Sequence, residues 1–148
     1  MNGMSEDTTS VRVVDSASGR SLTAWVREVG DDVVVAVGGG DRPHVGCVVL
    51  AVPTPGRGAS GFAPSCSVLT LPPHKEEPIA RAVAECVCRR LGRVTVATAG
   101  VHEDEIDRDG IMIYLRLGEE LADAVVESLS MVDESVPVRK REARLKER

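Results

Sequence analysis

Two apolar runs with no polar interruption, Val33-Val34-Val35-Ala36-Val37 and Cys47-Val48-Val49-Leu50-Ala51-Val52, flank the stretch GGGDRPHVG (38–46). Short, β-branched runs of this kind read as buried strands. The stretch between them is longer and chemically richer than a connection requires, because a hairpin needs only a two-residue turn such as Asn-Gly. The chain holds one Phe, one Tyr and one Trp in 148 residues, so its core must come from Val, Leu, Ile and Ala. At this length a single domain is expected, burying about 68–70% of the unfolded surface without staples.

Around these two runs the pattern predicts further strands. Val11–Asp15 forms a first strand, and Ser21–Val29 alternates Leu22, Ala24 and Val26 against Thr23, Trp25 and Arg27. With Val33–Val37 and Val45–Val52 these predict a four-stranded antiparallel meander. Residues 53–65 (PTPGRGASGFAPS) read as a Pro/Gly/Ser-rich loop, followed by a short strand over 66–71. Ile79, Val83, Cys86, Val87 and Leu91 make one helical stripe over 75–91, with Pro78 in the first turn and Gly92 as a C-cap. A strand over 93–99 follows, then a helix from about 107 to 130, interrupted or bent near Gly118. Strands come first and helices later, which reads as α+β: an antiparallel-rich sheet of about six strands with two main helices. Residues 1–10 are expected to be a flexible N-terminus, 11–132 the domain, and 133–148 a basic tail.

Charge and composition narrow the function classes. The net charge is −5, and residues 139–148 contribute six basic and two acidic side chains, which leaves the rest of the chain at −9. An acidic body with so few aromatics is a poor match for nucleic acid. The start, MNGMSEDTTS, predicts no secretory signal, and no apolar run approaches the roughly 20 residues of a membrane span. Cys47, Cys66, Cys86 and Cys88 lack C-x-x-C spacing, so reduced thiols in the cytoplasm are expected.

Three histidines, His44, His74 and His102, each follow an apolar strand and stand beside a turn residue. They are either three unrelated loop residues or one rim, and a rim of three imidazoles is able to hold a metal with an open position. Gly39 and Gly40 with Arg42 suit a phosphate, but a glycine-rich hairpin tip explains them equally well; the Rossmann and P-loop spacings are both absent. Lys75 stands where a helix N-terminus would attract an anion. No nucleophile elbow, triad or pair of carboxylates with separated roles is present, so no catalytic residue and no metal ligand is assigned.

Taken together, GGGDRPHVGCVVLAVP (38–53), SVLTLPPHKEEPIARAVAE (67–85) and VTVATAGVHEDEI (94–106) resemble the LpdD-like proteins associated with gallate decarboxylases. The resemblance covers about residues 30–130. It implies a fold similar to the proteasome assembly chaperones, a homodimer, and a non-catalytic chaperone of reduced prenylated FMN that delivers it to a UbiD-type decarboxylase. Pro43, His44 and Gly46 match the first motif; Ser67, Thr70, His74 and Lys75 the second; Thr98, Gly100 and His102 the third. On this reading the phosphate meets Gly39, Gly40 and Arg42, or Lys75, while the histidines and Thr70 meet the ring edges. Two alternatives stay open: a small metal-dependent enzyme built on the three histidines, and a protein-assembly chaperone that needs no flavin.

Overall fold

The fold comes from a computed structural model, which describes residues 8–73 and 75–134. Six strands form one sheet: β1 (Thr9–Val14), β2 (Ser21–Val29), β3 (Asp32–Gly40), β4 (Cys47–Pro55), β5 (Phe62–Thr70) and β6 (Thr95–His102). Helix α1 (Glu77–Leu91) joins β5 to β6, and α2 (Arg108–Glu134) follows β6. The strand order is β1-β2-β3-β6-β4-β5, and every neighbouring pair is antiparallel except β3 with β6. The architecture is the α+β, mainly antiparallel sheet that the sequence predicts.

The predicted four-stranded meander needs correction, because β1, β2 and β3 are consecutive neighbours but β4 does not pair with β3. The chain returns through α1 and inserts β6 between β3 and β4. The 41–46 connection must therefore step over one strand, a span of about 10 Å at the ordinary strand spacing. No two-residue turn bridges that distance, which explains the length of GGGDRPHVG. Residues 53–65 are also not a loop: β4 runs to Pro55 and β5 starts at Phe62, leaving a short hairpin tip closed by Gly56 N–H to the Gly61 carbonyl at 3.0 Å. The third and sixth strands run through their glycines, to Gly40 and His102. The expectations for the two ends of the chain lie in large part outside the described residues.

Alternation along each strand decides what is buried. Leu22, Ala24, Val26, Val33, Val35, Val37, Cys47, Val49, Ala51, Ala97 and Ala99 all point to the helix side and are almost fully buried. They meet Ile79, Val83 and Val87 of α1 and Leu117, Leu121 and Val125 of α2. Helix α1 ends at Gly92, whose φ of 63° gives a left-handed cap with its N–H donating to the Cys88 carbonyl at 2.9 Å. Helix α2 is unbroken through Gly118; a Cβ there would lie 3.4 Å from Ile79 Cγ1, so the glycine marks where the helices meet closely rather than a bend.

Both helices cover one face of the sheet. The other face carries Trp25, Val34, Val52 and Leu69, all exposed, with Val48, Leu50 and Val96 half-buried among them. Strand register sets Trp25, Ala36, Thr98, Val48 and Leu69 in one row across five strands. This open face mixes these apolar side chains with Thr23, Arg27, Thr98 and Ser67, and no helix of the described chain covers it. No helix among the described residues is long and apolar enough to cross a membrane.

Candidate functional site

The segments that carry the sequence motifs meet at one end of the sheet, where β3 and β6 finish and β4 begins. The 41–46 connection lies flat across this end because two strand positions lack side chains. A Cβ on Gly38 would come within 2.9 Å of Pro43 Cβ and 3.2 Å of the Trp25 ring; one on Gly100 would fall inside the His44 carbonyl. Gly40, with φ at 72°, is pressed just as closely on the backbone of His102. The crossing is pinned by Asp41 N–H to the His102 carbonyl at 2.6 Å and Gly46 N–H to the Ala99 carbonyl at 2.8 Å. Leu71 N–H donates to the Gly46 carbonyl at 2.9 Å, which brings in the end of β5. The glycines thus let main chain lie on main chain, and the side chains of the crossing are what this end offers to solvent.

Those side chains include the charged Asp41 and Arg42 and the imidazole of His44. The His44 ring has Nδ1 3.1 Å from the Arg42 carbonyl oxygen and Nε2 3.2 Å from Glu76 Oε1. Both ring nitrogens therefore face oxygens. Glu76 is the N-cap residue of α1 and is buried, yet its carboxylate does not cap the helix. It accepts the Val101 N–H at 3.3 Å and so ties α1 to the end of β6. On the other flank, Arg42 Nη2 lies 2.9 Å from His102 Nε2 and 3.3 Å from Asp104 Oδ1, while His102 Nε2 lies 2.9 Å from that same Oδ1. The hydrogen bond with His102, and next the charge of Arg42, hold the Asp104 carboxyl below the usual carboxylate range.

Behind this flank stands a second, better protected group. Arg20 grips Glu103 with two hydrogen bonds, Nε to Oε2 at 3.0 Å and Nη2 to Oε1 at 2.7 Å, and the Tyr114 hydroxyl donates to Oε2 at 2.9 Å. The Arg20 hydrogen bonds lower the Glu103 pKa, while burial and then Glu103 push Tyr114 up to about 12. A polar cleft of about 330 Å³ opens between this group and Gly40-Asp41.

The structure brings together most of the predicted residues: Gly39, Gly40, Arg42, Pro43, His44, Gly46, Gly100 and His102 share this end, with Thr70 opposite Cys47 on its margin. Lys75 lies outside α1, which begins at Glu77 after the N-cap residue Glu76. Ser67 and Thr98 stand away from it on the open face, opposite Leu50 and Val48. His74 lies outside the described residues, and among those described no three His, Cys, Asp or Glu side chains are grouped to hold a metal ion. All four cysteines are free, and burial pushes each thiol up, Cys88 to about 11, the opposite of an activated nucleophile.

From the sequence, Glu76 reads as a helix-initiating acid, and Asp104 as one of several acids after His102 that would favour its protonated form if they lie close; Asp104 Oδ1 does lie 2.9 Å from His102 Nε2. Their other partners, Val101 for Glu76 and Arg42 for Asp104, are 25 and 62 positions away, and no local pattern announces such pairs.

Comparison with known proteins bears on the family and the fold. The prenylated flavin chaperone LpdD-like domain matches residues 16–130. Among solved structures, the crystal structure of a novel chaperone complex for yeast 20S proteasome assembly is similar in fold, with a TM-score of 0.51 at 14% identity, covering 88% of this chain and 98% of that one. No curated protein matches the sequence.

Proposed function

The chain belongs to the prenylated flavin chaperone LpdD-like family, and from that membership we propose that it binds reduced prenylated FMN and hands it to a UbiD-type decarboxylase, as a cytoplasmic, homodimeric and non-catalytic carrier. One observation carries the reading: the flat 41–46 crossing sets Arg42, His44 and His102 at the end of a sheet face that bears exposed apolar side chains. A prenylated flavin mononucleotide has the same division, a dianionic phosphate at one end and a broad apolar ring system with polar edges at the other. Arg42 and His102, with Lys75 next to Glu76 in sequence, suit the phosphate. Trp25, Pro43 and the Val- and Leu-bearing strands suit the ring faces, and His44, Thr70, Thr98 and Ser67 suit its edges. Gly38 and Gly100 serve this site by letting the crossing lie close, Gly40 by its close approach to His102, and Gly39 by packing against Ser21 and Leu22.

A carrier needs affinity and release, and it needs no acid–base pair or nucleophile. The raised cysteine pKa values and the occupied carboxylate of Glu103 accord with that.

The homodimer has its own support in the open face. Six strands of up to nine residues present a plane of about 700–800 Å², close to the roughly 800 Å² per partner of a standard interface. A second copy offers the same face.

The deciding experiment is anaerobic titration of the purified chain with reduced prenylated FMN, with reduced FMN as control. Saturable binding that favours the prenylated form, followed by activation of a cofactor-free decarboxylase, is the expected result. Absence of binding overturns the carrier reading.

A further inference from the structure

We propose that Arg42 and His102 form the seat for one anionic group, and that the Asp104 carboxylate occupies this seat until a ligand displaces it. The seat is defined by convergence: Arg42 Nη2 and His102 Nε2 reach the same carboxylate oxygen, at 3.3 and 2.9 Å. Two nitrogens aimed at one oxygen is the arrangement by which guanidinium and imidazole hold a phosphate or carboxylate oxygen.

The internal contacts at this seat cannot all be satisfied at once. Arg42 only donates, so His102 Nε2 must accept in order to bond it at 2.9 Å. The same nitrogen must donate in order to bond Asp104, also at 2.9 Å. One ring nitrogen does one or the other. If Nε2 accepts from Arg42, the carboxylate keeps only the Arg42 contact at 3.3 Å; if it donates to Asp104, Arg42 and His102 present two donors to each other at 2.9 Å, an approach that the carboxylate between them offsets.

Asp104 is also easy to move. Its side chain is 71% exposed and that of Arg42 69%, so water screens their ion pair. Its backbone N–H reaches Asp41 Oδ2 only at 3.4 Å. The neighbouring acid behaves differently: Glu103 is 21% exposed, gripped twice by Arg20 and once by Tyr114. Glu103 fixes the loop, and Asp104 is free to swing from it. A dianion entering the seat exchanges one negative charge for two beside Arg42.

The identity of the anion as a flavin phosphate rests on the carrier reading; the seat itself rests on the three contacts. The test is calorimetric titration of the full chain, wild type and Asp104→Asn, with inorganic phosphate, FMN and riboflavin, while NMR follows the His102 ring. Asp104→Asn is expected to bind phosphate and FMN about three- to tenfold more tightly, the scale of one or two exposed ion pairs. Riboflavin affinity should stay within about twofold, and Arg42→Gln should abolish the phosphate-induced shift of His102. Unchanged or weaker phosphate and FMN binding by Asp104→Asn overturns the proposal. The two readings fail separately: loss of prenylated FMN binding with the phosphate response intact sinks the carrier alone, and the converse sinks the seat alone.

Discussion

Gly100 and His44 are in backbone contact so close that no Cβ fits between them: a methyl group on Gly100 would coincide with the His44 carbonyl. This contact fixes where the 41–46 crossing lies and, through it, where Arg42 and His44 stand. It also explains why a glycine breaks the alternating pattern of β6 near its end.

Gly100→Ala should accordingly destabilise the chain by at least about 2 kcal/mol, because the obstructing atom is main chain and cannot rotate away. The crossing would have to lift, carrying His44 off Glu76. Urea unfolding followed by circular dichroism checks this; a midpoint equal to the wild type's would mean that the crossing is not held as described. Gly58, where a Cβ would meet nothing nearer than the Phe62 carbonyl oxygen at 4.0 Å and φ is not positive, is the control for substituting a turn glycine without a clash.

Elements whose residues alternate or repeat are legible in the sequence alone. Strand β2 lies where Leu22, Ala24 and Val26 predict it, and the stripe of Ile79, Val83 and Val87 faces the sheet. What local pattern cannot reveal is pairing across the chain. Nothing near Val37 tells that Ala99 will lie beside it, and so the insertion of β6 and the purpose of the glycines stay hidden. The 53–65 hairpin is obscured for another reason. Pro53, Pro55 and Pro64 argue against strands, but β5 is an edge strand, and β4 carries its prolines at its very end, beyond its pairing with β6. At the site, the motif residues of 39–46 and 100–102 come together while Ser67 and Thr98 stand apart, and the pairings of Glu76 with His44 and of Asp104 with Arg42 emerge only from contacts made in space.

Glu76 leads to a second prediction. Its buried carboxylate receives His44 and the Val101 N–H, so Glu76→Ala removes acceptors from groups that cannot reach water freely. A loss of about 1–3 kcal/mol is expected. His44→Ala should cost less than about 1 kcal/mol, since that ring is partly exposed, yet it should weaken binding of reduced prenylated FMN. Chemical denaturation and anaerobic titration of both variants separate the two roles; equal stability losses would show His44 to be structural.

The open sheet face supplies a third. Val34 is 41% exposed there, between Arg27 and Val96 in register. Val34→Lys places a cation beside Arg27 and, in a face-to-face pair, among the apolar side chains of a second copy. Sedimentation velocity should show the wild type at twice the 15.7 kDa chain mass and the variant at the chain mass, with an unchanged circular dichroism spectrum. A wild type that sediments as a monomer at tens of micromolar would end the proposal of a homodimer.

Tyr114 offers a test free of any ligand, because it is the sole tyrosine and its phenolate absorbance reports one group. Burial, and then the Glu103 carboxylate that its hydroxyl bonds, push its pKa up to about 12, against about 10 in an unfolded chain. Between these values the unfolded form loses its proton while the folded form keeps it. Stability is therefore fully present below about pH 10 and falls as the pH rises toward 12, by roughly 1–3 kcal/mol for a shift of this size. Tyr114→Phe should lose the hydrogen bond to Glu103 but also lose this alkaline decline. Glu103 has the opposite sign: its lowered pKa contributes stability above the ordinary carboxylate range that disappears as the pH falls through the lowered value. Phenolate absorbance, read alongside circular dichroism, gives the midpoint directly. Ionisation near the ordinary tyrosine value, about pH 10, in a chain that is still folded would show that the Arg20-Glu103-Tyr114 group is open to water, and the fixed anchor behind Asp104 would go with it.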